Sequence, residues 1–408
     1  MVLAAATLIQ ASVSLAQQAP AALGPALLVG LGIGHARLGL LTSALIGGMA
    51  ATTLLAGVLI DRAGERRVVV CGVAGMALAV FAAGLSAGFA LLFALCLLAS
   101  FGAAASTPGG SKATAAWFPK SQRGFALSIR QTGVPLGGLA AAIILPPVVA
   151  VSNWRVGLFC AAAIVLLATI TFAWLYRESP ENPDGKNPSS KAAPAASAAS
   201  GSVGAVGAGS VSGSISTLKS LAYNRSFVAA TIFSFILVGG QWSATSFIAV
   251  FAHESVGLSI VSAGIFLGLL QAGGIAGRIL LWLLSDRLGS RKPALILAGA
   301  GAACTCAAMS FMGNGAPLAA LGVVSAALGF LLLGWNGIYI AYLSEATPPG
   351  SAATAVGAGL TVTNLGSLTV PPLFGLLVDL SGSYTLLWIA LTLWVALGTV
   401  AAMAMRVE

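Results

Sequence analysis

Long apolar runs, each about the length of a membrane-crossing helix, follow one another from the first residues of the chain to the last. They fall near 3–32, 38–60, 68–87, 89–115, 124–150, 156–176, 227–251, 258–284, 293–312, 316–342, 352–378 and 384–404, which predicts twelve crossings. Polar and charged positions gather in the short breaks between them. The break after the sixth run differs in kind. Its RESPENPDGKNPSSKAAPAASAASGSVGAVGAGSVSGSIS is rich in Ser, Ala, Gly and Pro, cannot bury a core, and reads as a flexible linker. The pattern therefore predicts an all-α membrane protein of two six-helix bundles, 1–177 and 226–408, joined through 178–225.

The first run admits two readings. MVLAAATLIQASVSLAQQAP holds an SLA-Q site of the kind a signal peptidase cuts, but it lacks a basic n-region. We read it as the first crossing, which also keeps the number of crossings even.

Composition narrows the class further. Of 408 residues, 58% are hydrophobic and 7% charged, against roughly 25% charged in a soluble domain. Lipid must be the main solvent. The net charge of +9 does not require nucleic acid, because the basic residues sit in short interhelical loops. One set of loops carries Arg62, Arg66, Arg67, Lys120, Arg123, Arg177, Lys186, Lys191, Lys219, Arg225, Arg287, Arg291 and Lys292, while the other side has Arg37 and Arg155. That asymmetry predicts a multi-pass protein of a bacterial cytoplasmic membrane, with both termini and the linker cytoplasmic. The five cysteines lie in apolar runs and read as packing residues. The pattern offers no catalytic triad, no metal-ligand cluster and no cofactor motif, and both histidines lie near the outer edge, so an enzyme is not expected.

The halves echo each other. LIDRAGERR in the first has LLSDRLGSRK as its counterpart, and 286 minus 61 is 225. Pro146-Pro147 recurs as Pro371-Pro372, and 371 minus 146 is again 225. Two landmarks with one offset imply duplication of a six-helix unit.

On these residues the chain resembles the major facilitator superfamily, whose loop motif runs G-x-L-x-D-R-x-G-R-R/K. The first copy reads Gly57, Leu59, Asp61, Arg62, Gly64 and Arg66, with Glu65 in place of the usual basic residue. The second keeps Leu284, Asp286, Arg287, Gly289, Arg291 and Lys292 but has Trp282 where glycine is usual. Trp154-Arg155 before the sixth run is also similar to the family. The resemblance implies a monomeric alternating-access transporter in which this loop is a conformational latch. A carboxylate such as Asp61 can face the positive end of a helix in the other half, and Gly57 permits close approach. The blander reading of the loop is basic anchoring at the cytoplasmic face.

Substrate chemistry belongs near the midplane between the halves, where ionisable residues are costly. Three cations lie that deep: Arg278, eight residues before Asp286 and hence about 12 Å inward, together with Lys112 and Arg130. No acidic residue reaches comparable depth, so Arg278 is expected to bind a substrate carboxylate through its planar fork. An arginine here also resembles the substrate arginine of monocarboxylate and oxalate carriers. Lys112 reads equally as part of the charge network supporting Asp61, and Arg130 as a residue snorkelling to lipid phosphates.

Neutral polar stripes complete the expected cavity: Gln10, Ser14 and Gln17, then Gln271 with Arg278, Gln241 with Thr245, Asn336 with Tyr339, and Asn364 with Ser367. Simple interhelical hydrogen bonding is the alternative for each. The Gly133-Val-Pro135-Leu-Gly137-Gly138 stretch is a shortened form of a drug–proton antiporter pattern, but the embedded acids such antiporters use are absent from the runs. The expected function is secondary transport of a small organic anion, a monocarboxylate or related acid, with proton coupling or exchange. A cation-efflux antiporter and a non-transporting receptor of the same fold are the competing readings.

Overall fold

The computed structural model describes residues 2–118, 123–176, 221, 223–347 and 352–406. The first half holds α1 (Val2–Ala22), α2 (Gly24–Leu31), α3 (His35–Ala63), α4 (Glu65–Gly84), α5 (Phe89–Ala103), α6 (Ser106–Trp117), α7 (Arg123–Gln131), α8 (Gly133–Ala150) and α9 (Trp154–Leu175). The second half holds α10 (Arg225–Glu254), α11 (Ile260–Arg287), α12 (Arg291–Ser310), α13 (Leu318–Gly334), α14 (Asn336–Glu345), α15 (Ala352–Ser381) and α16 (Tyr384–Met403). Among the described residues, eleven helical stretches are long and apolar enough to cross a membrane. The second predicted crossing, α3, lies outside those eleven; its 29 residues nonetheless measure about 44 Å at helical rise.

Three of the predicted runs are broken by proline chemistry. Pro25, Pro108 and Pro135 carry no amide hydrogen, and the chain breaks near Leu23, Ala104 and Thr132, two to four residues before them. A fourth break falls at Trp335, between α13 and α14, with no proline beside it. Most of the predicted linker lies outside the described residues. Its last residue, Arg225, already opens α10, whose N-terminus is capped by the Asn224 side chain.

The bundle is apolar on its outside, where Leu78, Phe81, Leu98, Leu167, Leu393 and Leu397 are exposed. A lipid-facing surface requires that arrangement. In the first half α1 packs on α8 and α9, and α4 on α5 and α9; in the second, α11 packs on α13, α10 on α15, and α12 on α16. The two halves meet chiefly through α3 against α15 and α8 against α11, with α1 on α10 between them.

The duplicated prolines mark both seams. A Cβ placed at Gly39 of α3 would stand 2.7 Å from the Pro371 carbonyl oxygen, and one at Gly264 of α11 would stand 2.7 Å from Pro146 Cγ. Since 264 minus 39 is 225, each glycine is the other's copy, and each seats the opposite half's proline pair. Only a residue without a side chain lets the backbones approach this closely. These contacts lie at the end of the bundle opposite the linker.

Candidate functional site

Arg278 stands on α11 where the two halves face each other. Its Nη1 donates to the Gln131 carbonyl at 2.9 Å, and its Nε to the Leu333 carbonyl at 3.3 Å. Both acceptors are produced by broken helices. Pro135 cannot supply the amide that would reach the Gln131 carbonyl in a continuous helix, and Leu333 lies one residue before the end of α13. Carbonyls at a helix C-terminus carry partial negative charge. Arg278 is thus held by dipoles, one from each half.

Among the described residues no carboxylate is bonded to it. The sequence has ten acidic residues, and those the structure describes, Asp61, Glu65, Glu254, Asp286, Glu345 and Asp379, lie at or near helix ends. A cation kept inside a bundle with carbonyl dipoles as partners retains its charge for an incoming anion.

Several residues of the polar stripes are engaged in interhelical hydrogen bonds. Gln271, one face-repeat from Arg278, donates through Nε2 to the Gln18 Oε1 of α1, joining the halves. Gln18 Nε2 in turn reaches the Val134 carbonyl at 3.5 Å. Gln241 accepts from Asn336 Nδ2 at 3.2 Å, and Asn364 is half-buried on α15. Gln17 turns instead into its own half, toward the Leu45 carbonyl and Met49 sulfur of α3. Tyr339 packs edge-on to Trp335 inside the second half and is 1% exposed. Lys112 lies in α6, with its side chain outside the described residues.

Arg130 departs from the snorkelling alternative. It is 0% exposed, donates from Nη1 to Gln10 Oε1 at 2.9 Å, and lies beside Gly110. In this structure it ties α7 to α1 rather than lining open space. Gln131 brings the two arginines near one another, its carbonyl serving Arg278 and its Oε1 standing 3.5 Å from Arg130 Nη2.

The loop motif behaves differently in its two copies. In the first, Arg62 is exposed and Gly64 takes a positive φ of 85° between α3 and α4. Arg66 donates to the Ala173 carbonyl, and Glu65 accepts from the Tyr176 hydroxyl at 2.8 Å. The Asp61 side chain lies outside the described residues. Among the described residues nothing stands within 4 Å of a Cβ placed at Gly57, so the close approach expected there is not seen among them. The inter-half packing gathers at the opposite end and leaves this position open.

In the second copy Gly289 turns the chain at φ 62°, and Arg287 is exposed. Arg291 pairs with both Asp286 and Glu345, and it lies over the Trp282 ring at 4.8 Å. Trp282 therefore replaces the usual glycine with a cation–π platform. A cavity of about 280 Å³ opens here, bounded by Asp286, Arg291, Lys292, Glu345 and Arg406.

At the end opposite the linker the structure builds a cluster that the stripe pattern does not announce. Asp379 of α15 accepts from the backbone amides of His35 at 2.7 Å and Ala36 at 2.8 Å, capping α3 from the other half. His35 Nδ1 lies 2.8 Å from Asp379 Oδ1, and its Nε2 lies 3.0 Å from Glu254 Oε2. The Tyr384 hydroxyl donates to Glu254 at 2.7 Å and lies 2.8 Å from His35 Nε2. Burial disfavours a charged His35, but the two carboxylates outweigh it and hold the imidazolium above its ordinary range. Each of these residues begins or ends a helix, which is the one signal the sequence offers.

This architecture has known relatives. A family model described as Major Facilitator Superfamily matches residues 6–371. An MFS-type transporter of Mycobacterium tuberculosis strain CDC 1551 is 27% identical over 362 residues, 88% of this chain and 74% of that protein. A probable sulfoacetate transporter of Cupriavidus necator, SauU, is 23% identical over 364 residues, covering 87% of this chain and 82% of its own. Among solved structures, a bacterial homologue of the human lysosomal transporter Spinster, crystallised inward-facing and unoccupied, superposes with a TM-score of 0.77 at 16% identity, over 99% of this chain and 96% of that one. With the duplicated loop motif, the two bundles meeting at paired glycine–proline seams and a family match over nearly its whole length, the chain belongs to the major facilitator superfamily.

Proposed function

We propose that this transporter carries a small organic anion, a monocarboxylate or related acid, between the two compartments by alternating access. The observation that carries the reading is Arg278: a guanidinium at the seam between halves, held by two helix-end carbonyls, with the described acidic residues at helix ends away from that depth. A carboxylate or sulfonate binds such a fork through paired charge-assisted hydrogen bonds, which carbonyl dipoles cannot match. SauU, named for sulfoacetate, supports the same class.

The proposed cycle follows from that geometry. The substrate anion competes with the Gln131 carbonyl for Arg278, loosening a link between the end of α7 and α11. The bundles 1–177 and 226–408 then rock about the bound anion. Gln271, Gln18, Gln241 and Asn336 offer neutral donors and acceptors around it. The bias of basic residues supports a cytoplasmic linker and termini, with the end where the halves pack together facing outward. The loop motif at Asp61 serves the opposite state, when its own end closes.

The test is reconstitution. Liposomes containing the protein should take up or exchange labelled lactate, pyruvate or sulfoacetate, and the anions should raise its melting temperature. If lipophilic cations stabilise it and a broad anion panel does not, the substrate class is wrong.

A further inference from the structure

We propose that His35 is a proton-binding site through which pH closes the carrier at the end opposite the linker. Helix α3 has no cap of its own. Gly34 precedes α3 and offers no side chain to its first amides. The duplicated counterpart, α11, has Ser259 in that place (259 minus 34 is 225), and Ser259 Oγ accepts from the Ser262 amide at 3.1 Å. α3 therefore takes its cap from the other bundle, through Asp379. A Cβ at Gly34 would lie 2.6 Å from Asp379 Oδ2, so the absent side chain is what lets the carboxylate in.

The cap ties the halves together only while they are closed, and His35 makes it depend on a proton. The ring faces a carboxylate at each nitrogen, Asp379 at Nδ1 and Glu254 at Nε2. Protonated imidazole has two N–H donors and satisfies both. Neutral imidazole has one, so a lone pair must meet the second carboxylate. Tyr384 can turn its hydroxyl to Nε2 in that case, but it then abandons Glu254. The neutral ring thus loses a contact however the donors are arranged. The other charged groups nearby do not replace it. His253 on α10 is engaged with the Leu258 carbonyl, Arg37 on α3 lies over the Phe89 ring, and Arg155 on α9 reaches the Gly84 and Ser86 carbonyls.

The positions 225 residues away from His35 and Asp379 are Ile260 and Trp154, so the second seam carries no such cluster. Its site also differs from a cargo proton's path. His35 keeps 18% of its side chain exposed while the end is closed, so it exchanges protons with the compartment on its own side. It senses pH there instead of carrying the proton across.

The sign follows from the closed-state geometry. A group whose affinity for protons is higher in the closed form stabilises that form fully below its ordinary value, near 6.5. The stabilisation is lost as pH rises through the higher value held in the closed form. Acid should close this end and alkali release it. The inference does not rest on the substrate, and only the compartment sensed follows from the proposed orientation.

Spin labels at Val29→Cys and Leu380→Cys, in a background with the native cysteines replaced by serine, place one probe on each half beside the cluster. Pulsed distance measurements on purified protein should show a short-distance population that shrinks about fivefold or more, relative to the long, between about pH 5.5 and about pH 8.5. His35→Gln should remove that dependence. Glu254→Gln, a milder change that keeps the hydrogen-bonding shape, should move the midpoint to lower pH, and Ser259→Ala should leave the curve as in the wild type. A wild-type distribution that does not change with pH, or one that changes equally in His35→Gln, overturns the proposal.

Discussion

Arg278 and Arg130 show how one residue type does different work at similar depth. Arg278 is offered to the seam by Pro135 and by the end of α13, and its partners are dipoles that a stronger acceptor can displace. Arg278→Ala should therefore abolish anion uptake. Arg278→Lys should keep the charge but lose the fork, weakening anion affinity by about tenfold. Equal uptake by all three proteins would remove Arg278 from the site. Arg130 is enclosed and bonded to Gln10, so Gln10→Leu should cost about 1–3 kcal/mol of stability. In proteoliposomes that variant should show an unaltered KM once the folded fraction is matched. A raised KM would return Arg130 to the substrate path. The sequence marked both arginines as costly and left their roles open, because partner geometry depends on which helix lies opposite.

At the level of elements, the broken helices carry the argument. Pro135→Ala would return a helical donor to the Gln131 carbonyl and relax its hold on Arg278. Substrate anions should then bind about three- to tenfold more tightly, since a hydrogen bond to a charged group contributes about 1.5–3 kcal/mol and only part of it is lost. Calorimetric titration would read this, and weaker binding would count against the competition we describe. The paired glycines make a second case. Gly39→Val and Gly264→Val each push a side chain into the opposite bundle's proline pair. Overpacking of this kind costs about 1–3 kcal/mol and should fall on the closed end alone. The short-distance population between spin labels at Val29→Cys and Leu380→Cys should shrink in both variants, and a loss in only one would mean that the seams are not equivalent. The sequence pattern runs each of the broken stretches through as one crossing, because Pro20 and the Pro146-Pro147 and Pro371-Pro372 pairs sit inside unbroken helices, and the break at Trp335 has no proline or cap signature at all.

For the whole molecule, the bias of basic residues predicts that a protease site inserted in the linker is cut from the cytoplasmic side; cleavage only from outside would reverse the orientation and the compartment that His35 senses. That bias belongs to the sequence, as do the apolar runs, the 225-residue repeat and the loop motif. Each depends on local composition or spacing, and lipid imposes it on any chain of this kind. From these the helical class and the duplicated bundles followed without coordinates. The contacts between bundles did not. His35, Glu254, Asp379 and Tyr384 are separated by up to 349 positions, and each on its own is an ordinary residue at a helix end. Gln131 acquires meaning only because Pro135 frees its carbonyl on the side where Arg278 arrives. Composition and periodicity act along the chain, whereas a charge cluster or a shared cap is decided by which helix ends the fold brings together, and that was left to the tertiary structure.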